Sequence, residues 1–331
     1  MKRFKKIFSV LSRIGISCVL LYFLSRQVNI PSLLESMRNA NKPLLLLAFG
    51  IYSLNYVFCL VRWEMLLKAV KVTLRLSRVL SSFAGGIFFN LFLPSTIGGD
   101  LMRTMDLAAY TKKPKEIIAT VLLDRLSGYV GMVIVVCGAL IFGWRFIEDR
   151  SVLAALIALC ATLIFFLMVL YNNYLYSKIN NLLKSPNAGR IRELITNLHE
   201  EIYYFRNHRK VIVMNIIISI LIQVITPLVY YVVALALGFK VSILYFFIFL
   251  PIITAIALLP ISLGGLGLRD ATTIYFFAKI GMAKDLAFAM SLLNFFFIFF
   301  FGAVGGLIYV FTVHHRRIQP HQASSVCPPR P

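Results

Sequence analysis

Long runs of apolar residues constrain this chain more than any other feature of its sequence. A membrane-spanning helix needs about 20 apolar residues to cross a hydrocarbon core of roughly 30 Å. Because 60% of the residues are hydrophobic and 14% are charged, a soluble fold could not bury this much apolar surface. The sequence therefore predicts an all-α, polytopic membrane helix bundle. Clear apolar runs cover residues 10–28, 43–61, 117–143, 152–171, 211–238, 241–260 and 286–311, and less regular ones cover 79–98 and 263–283.

The charged residues lie mainly between these runs. The chain has 34 Lys and Arg against 13 Asp and Glu. Basic clusters at 2–13, 62–78 and 172–210 indicate cytoplasmic loops, whereas 144–151 balances its charges and indicates an external loop. We expect no nucleic-acid partner, because loop charge of this kind is explained by an anionic leaflet. The prediction is a multi-pass protein of the inner or plasma membrane with both termini in the cytoplasm.

The basic loops also predict how the chain crosses. Segments 62–78 and 103–116 both lie inside only if 79–98 enters the membrane and returns. A cytoplasmic C-terminus then requires 263–283 to cross, which gives about eight transmembrane helices with two broken or re-entrant elements. The predicted domains are an integral membrane domain over 1–311 and a basic, Pro-containing cytoplasmic tail over 312–331, which we expect to be disordered.

Two segments share the pattern Leu-Pro-x3-Gly-Gly-x3-Arg. The first runs from Leu93 to Arg103 and the second from Leu259 to Arg269, and each follows an apolar run. Pro lacks an amide donor and adjacent glycines loosen a helix, so both segments should break. The freed backbone groups must be buried in protein or line a wet cavity. The match indicates an internal repeat, inverted or not according to whether 79–98 crosses.

Ionisable residues beside the two breaks form the candidate binding site. A charged side chain that faces lipid costs several kcal/mol, so these residues should pair or face a polar cavity. Broken helices at matching positions are typical of a transporter's central site, where helix N-termini and Arg favour an anion. The alternative is that the prolines are kinks and the glycines are helix contacts. The predicted substrate-binding residues are Asn90, Pro94, Gly98, Gly99, Asp100, Arg103, Asp124, Arg125, Pro260, Gly264, Gly265, Arg269 and Asp270.

The sequence contains none of the catalytic motifs that are common in soluble enzymes. There is no nucleotide-binding glycine loop, no His-Glu-x-x-His and no nucleophile elbow, and the five cysteines are scattered. We therefore predict no catalytic residue, no metal site and no cofactor.

Three motifs together resemble the lysylphosphatidylglycerol synthase transmembrane-region family, also called flippase-like. They are Asn90-x2-Leu93-Pro-Ser-x2-Gly-Gly-Asp-x2-Arg103, then Asp124-Arg125, then Pro260-x3-Gly-Gly-Leu-Gly-x-Arg269-Asp270. The resemblance covers residues 10–311. The chain departs from the family pattern in carrying Asp124 and Asp270 where the family has Glu, a change that keeps the charge and shortens the side chain.

In aminoacylating members of this family, a soluble C-terminal domain transfers an amino acid from aminoacyl-tRNA to phosphatidylglycerol. Few residues follow the last apolar run here, so we expect no such domain. The resemblance implies that the chain binds a lipid with an anionic headgroup, an anionic phospholipid or a polyprenyl-phosphate, and moves it across the bilayer. Two alternatives remain: a membrane-embedded transferase acting on such a lipid, and a non-catalytic membrane scaffold. The oligomeric state stays open.

Overall fold

The described part of the chain consists of helices and the turns that join them. A computed structural model describes residues 15–24, 26, 28–93, 97–143, 150–171, 209–257, 262 and 265–318. In chain order the helices are α1 (Gly15–Leu24), α2 (Ile30–Arg38), α3 (Lys42–Ala69), α4 (Leu76–Phe92), α5 (Ile97–Thr111), α6 (Pro114–Gly143), α7 (Arg150–Tyr171), α8 (Arg209–Ala236), α9 (Leu244–Ala257), α10 (Leu268–Ala278) and α11 (Lys284–Ile318).

Several helices are long and apolar enough to cross a membrane. Among the described residues these are Lys42–Ala69, Pro114–Gly143, Lys210–Ala236 and Lys284–Thr312. Large apolar side chains such as Leu46, Phe142 and Phe311 are exposed on the outside of the bundle, which suits a surface in contact with lipid. The protein is thus a polytopic helical membrane protein, as predicted.

Polar contacts fix one end of the bundle, here called the upper end. Asn41 caps the start of α3 by accepting a hydrogen bond from the amide of Leu44 (3.2 Å), and its own amide donates to the carbonyl of Ala236 at the end of α8 (2.8 Å). The amide of Asn29 donates to Asp285 at the start of α11 (2.9 Å). The connections at 29–41, 236–244 and 279–285 therefore lie at the upper end.

A separate apolar cluster closes the opposite, lower end. It joins the last turns of α3 to the starts of α4 and α6 and to the end of α5. Its buried members are Trp63, Leu66, Leu67, Val70, Val72, Val79, Leu107, Ile117, Ala119 and Val121.

Helices α4 and α5 form an antiparallel hairpin that opens at the lower end. Arg78 near the start of α4 pairs with Asp106 near the end of α5 (2.8 Å), and Ser82 donates to the carbonyl of Arg103 (3.2 Å). The chain reverses direction between the end of α4 and the start of α5, so Leu93, Gly98 and Gly99 of the first Leu-Pro motif lie near the tip of the hairpin. The expectation that 79–98 turns back is confirmed in this geometry.

Three glycines of α11 let it pack closely along α4: Gly302, Gly305 and Gly306.

Helices α9 and α10 form a second hairpin, which opens at the upper end. The rings of Phe246 and Phe277 lie 4.9 Å apart, and those of Phe249 and Phe276 lie 5.4 Å apart, so the two helices run antiparallel. Of the second Leu-Pro motif, the described residues Gly265 and Arg269 follow the end of α9, and Arg269 lies in the first turn of α10. Helix α10 has 11 residues and a length of about 16 Å, too short to cross a core of roughly 30 Å. The expectation that 263–283 crosses is therefore corrected: its described part, from Gly265, folds back along α9.

Two helix ends differ from the sequence boundaries. Helix α3 continues to Ala69, beyond the apolar run that ends at residue 61, because Trp63, Leu66 and Leu67 are buried against neighbouring helices. Helix α11 continues to Ile318, past the predicted domain boundary at 311. The rest of the predicted tail, 319–331, and most of the basic segment 172–210 lie outside the described residues.

Candidate functional site

The tip of the first hairpin is held together by a very close approach of its two helices. The side-chain oxygen of Asn90 accepts a hydrogen bond from the amide of Gly99 (2.9 Å), so a residue of α4 satisfies a free amide in the first turn of α5. A Cβ atom on Gly99 would lie 2.1 Å from the carbonyl oxygen of Gly86. Glycine is therefore required at this contact, and its effect is to place the first turn of α5 beside α4 and α6.

That first turn carries Asp100, and one turn later comes Arg103, which reaches a buried carboxylate on α6. The Nη2 atom of Arg103 lies 3.0 Å from Oδ1 of Asp100 and 2.9 Å from Oδ2 of Asp124. Asp124 also accepts a hydrogen bond from Nε of Arg62 on α3 (2.7 Å). Arg125 donates from Nε to Asp100 (2.5 Å). Three guanidinium groups thus share two carboxylates, and three helices meet through them.

Further contacts fix the positions of the arginines. The Nη1 atom of Arg62 donates to Ser219 of α8 (2.9 Å), and the guanidinium carbon of Arg103 lies 4.6 Å from the ring centroid of Trp63. Arg103 and Asp124 are each 5% exposed. The Nε atom of Arg103 is buried and has no hydrogen-bond partner within the described residues. A buried donor of this kind is costly unless something else binds it.

These charges line a cavity of about 210 Å³ between α3, α4, α5 and α6. The α3 wall is a polar stripe with hydroxyl, amide and thiol groups. The residues of the cavity wall are Tyr52, Asn55, Tyr56, Cys59, Arg62, Phe83, Gly86, Ile87, Asn90, Gly99, Asp100, Arg103, Asp124 and Arg125. A polar, positively charged pocket inside an apolar bundle can bind an anionic group.

The second motif forms a smaller charged site at the start of α10. Asp270 accepts a hydrogen bond from the amide of Gly267 (2.9 Å), which caps the helix, and it also accepts one from Ser291 of α11. The Nη2 atom of Arg269 lies 3.2 Å from Oδ1 of Asp270. The guanidinium carbon of Arg269 lies 5.6 Å from the ring centroid of Phe295. Both charges are buried and paired.

Tyrosines of α3 connect the two sites. Tyr52 lies on the cavity wall and is also within electrostatic range of Arg269. Its hydroxyl lies 3.5 Å from the hydroxyl of Tyr56, one turn closer to Arg103 and Asp124. Tyr52 is therefore the residue of the cavity wall through which the charge of Arg269 can influence the first site.

The lysylphosphatidylglycerol synthase TM region family matches residues 10–306 of this chain. The chain belongs to this family. It is 22% identical to a UPF0104 membrane protein of Pyrococcus horikoshii over 302 residues, which cover 85% of this chain and 90% of the relative. It is also similar to two UPF0104 membrane proteins of Methanothermobacter thermautotrophicus. Each is 23% identical; one alignment covers 86% of this chain and 87% of the relative, and the other covers 78% and 82%.

The resemblance read from the three motifs is thus confirmed, and the structure places most residues of those family motifs. Asn90, Gly99, Asp100, Arg103, Asp124 and Arg125 line the cavity together. Gly98 instead packs against Leu93, where a Cβ atom would lie 2.5 Å from the Leu93 side chain. Gly265 has a φ of +81° and lies beside Ala257 in the second hairpin. Arg269 and Asp270 form the second site. Pro94, Pro260 and Gly264 lie outside the described residues.

The sequence neighbours Asp124 and Arg125 do not pair with each other. Asp124 and Arg125 are adjacent in sequence, but Asp124 binds Arg62 and Arg103 whereas Arg125 binds Asp100. The two side chains leave α6 in different directions and bind different partners, unlike Arg269 and Asp270, which pair with each other.

Sequence reasoning missed Arg62, which appeared to be part of a basic cytoplasmic loop. It also gave no weight to Tyr52, Tyr56 and Ser219. A signal was present: polar residues recur along one face of α3 at spacings of three and four. They are Tyr52, Asn55, Tyr56, Cys59 and Arg62.

Proposed function

We propose that this protein binds a lipid with an anionic headgroup in the cavity between α3, α4, α5 and α6 and moves the lipid across the membrane. The observation that carries the proposal is the lining of that cavity, where Arg62, Arg103 and Arg125 outnumber two carboxylates. Arg keeps its charge at any accessible pH and matches a phosphate with a fork of N–H donors. A phosphate that accepts from the unpartnered Nε of Arg103 would relieve a buried donor.

The surroundings of the cavity favour a lipid over a soluble anion. Exposed apolar side chains cover the outside of the helices, so a headgroup in the cavity could keep its acyl chains among them. The matched family is named after an enzyme whose product is a phospholipid. Both points support a membrane lipid as the ligand.

The arrangement of the hairpins supports movement as well as binding. One hairpin opens at the lower end and the other at the upper end, and each carries a charged pair near its tip. In transporters, broken helices from two halves commonly form one site that opens alternately to the two sides of the membrane. The second charged site, Arg269 with Asp270, would then serve the same headgroup on the other half of its path.

Bound-lipid analysis and a transport assay test the proposal. The purified protein should retain a defined anionic lipid, and proteoliposomes should move acyl-labelled phosphatidylglycerol between leaflets faster than empty vesicles do. Arg103→Gln should lose both properties and Arg103→Lys should recover part of them. Arg150→Gln is the matched control because Arg150 is exposed at the start of α7. A lipid content that matches the bulk membrane, together with no movement above the empty vesicles, would contradict the proposal and favour a scaffold.

A further inference from the structure

The net charge of the cavity lining predicts the charge of the lipid headgroup that binds best. This inference rests on the proposed function. Within the described residues of the lining, the charged groups are the guanidiniums of Arg62, Arg103 and Arg125 and the carboxylates of Asp100 and Asp124. Every carboxylate is engaged by two arginines, at distances from 2.5 to 3.0 Å. The pocket without a ligand therefore carries one positive charge that no protein carboxylate balances. The start of α5 acts in the same direction, and Asp100 already lies in its first turn.

From this balance we infer that the site selects a headgroup with a single negative charge, as in a phosphodiester, over a phosphomonoester with two. A phosphodiester neutralises the one uncompensated guanidinium. A phosphomonoester brings a second negative charge into a desolvated site that has no cation left for it, beside two fixed carboxylates. A zwitterionic headgroup leaves the excess charge of the site unmatched or brings a cation next to it.

The charged side chains of the lining are buried, so their net charge acts strongly on a bound headgroup. Arg62 and Arg103 are 7% and 5% exposed and Asp124 is 5% exposed, so water and salt screen the cluster far less than they screen a surface pair. The carboxylates cannot easily move away, because each is held by arginines from two different positions. A change of one unit in the charge of the lining should therefore change which headgroup charge binds best.

A matched pair of lipids measures this selection directly. Dioleoyl phosphatidylmethanol and dioleoyl phosphatidic acid differ by one methyl ester, and at a pH well above the second pKa of the phosphomonoester the second lipid is a dianion whereas the first stays a monoanion. Binding to the wild-type protein in detergent is compared by native mass spectrometry, with dioleoyl phosphatidylcholine as the zwitterionic reference. We expect phosphatidylmethanol to bind about tenfold more tightly than either of the others, a difference of about 1.4 kcal/mol.

Two variants shift the charge of the site in opposite directions. Asp100→Asn raises the net charge of the lining by one unit and should reverse the preference toward phosphatidic acid. Arg125→Gln lowers it by one unit and should reduce phosphatidylmethanol binding to the level of phosphatidylcholine. Arg125 has a side chain that is 36% exposed, so this variant should fold even if Asp100→Asn does not. Asp106→Asn is the control for Asp100→Asn, since Asp106 is on the same helix, outside the lining, and pairs with Arg78.

The outcomes separate this inference from the proposed function. Wild-type protein that binds phosphatidic acid as well as or better than phosphatidylmethanol would overturn the single-charge inference and leave anionic-lipid binding intact. The same holds if the preference is identical in Asp100→Asn and Asp106→Asn, or unchanged in Arg125→Gln. Protein that binds neither phosphatidylmethanol nor phosphatidic acid above the level of phosphatidylcholine would contradict the proposed function itself.

Discussion

The Nε atom of Arg62 lies 2.7 Å from Oδ1 of Asp124, a contact that joins α3 to α6 in the interior of the bundle. Both side chains are buried, and the second oxygen of Asp124 is bound by Arg103 of α5. One carboxylate therefore holds a long helix and the first hairpin in place beside the cavity, so the same contact serves stability and the charge of the site.

Arg62→Gln should destabilise the protein strongly. Removing one member of a buried ion pair typically costs about 3–5 kcal/mol, because the remaining charge loses its partner. Thermal unfolding of the purified protein in detergent measures the effect. Lys68→Gln is the control on the same helix, since Lys68 pairs with Glu64 at 2.8 Å while 58% exposed, and such surface pairs contribute at most about 1 kcal/mol. Equal losses in the two variants would show that the Arg62 contact is unimportant.

The double variant Arg62→Gln, Asp124→Asn should be more stable than the sum of the single variants predicts. Removing both charges leaves no unpaired guanidinium or carboxylate between α3 and α6, although Arg103 still loses one partner. The measurement is a double-mutant cycle on the unfolding temperature. Strict additivity would mean that the two residues do not act on each other.

Gly99→Ala should disrupt the tip of the first hairpin. The added Cβ would meet the carbonyl oxygen of Gly86 at 2.1 Å, and backbone atoms cannot move aside as a flexible side chain can. We expect a loss of about 1–3 kcal/mol or more and loss of bound lipid, because Asp100 and Arg103 follow on the same helix. Gly138→Ala on α6 is the control, since nothing lies within 4 Å of its added Cβ. Its stability should stay the same or rise.

Arg103→Gln and Arg269→Gln should differ in their effects on lipid retention. Arg103 lines the cavity, whereas Arg269 is paired with Asp270 in the second hairpin and does not belong to the described lining of the cavity. We expect the first variant to purify without the anionic lipid and the second to retain it but to transport it more slowly. Quantitative lipid extraction and the proteoliposome assay distinguish the two. Full transport by a well-folded double variant would end the anion-site hypothesis.

We predict that the first apolar run, 10–28, crosses the membrane together with α3, α6, α7, α8 and α11, and that both termini are cytoplasmic. Lys240 lies at the upper end and Lys112 at the lower end, and both are exposed. In a background without the five native cysteines, a membrane-impermeant reagent added from outside should label Lys240→Cys and spare Lys112→Cys. Single cysteines at 147 and 185 should behave like those at 240 and 112, respectively. The reverse labelling pattern would invert the orientation.

The sequence by itself determined the class of the protein and the places where its helices break. Apolar runs long enough to cross a bilayer leave a helix bundle as the solution, because lipid offers no partners to free backbone groups. The combination of Pro with adjacent glycines in Leu93–Gly99 and Leu259–Gly265 marked the two places where helices end, whereas the single residues Pro227 and Pro251 lie inside helices. The charged residues beside the tips were identifiable for a similar reason: a charge in an apolar run needs a partner.

Only the tertiary structure decided which partners meet. Asp124 binds Arg62 and Arg103 instead of Arg125, because the direction of a side chain depends on helix rotation and on which helices pack together. The sequence also did not predict that α10 folds back along α9, because this too depends on contacts between helices. Hydropathy measures how apolar a segment is, whereas the contacts of Phe246 with Phe277 and of Phe249 with Phe276 decide that the segment folds back on α9.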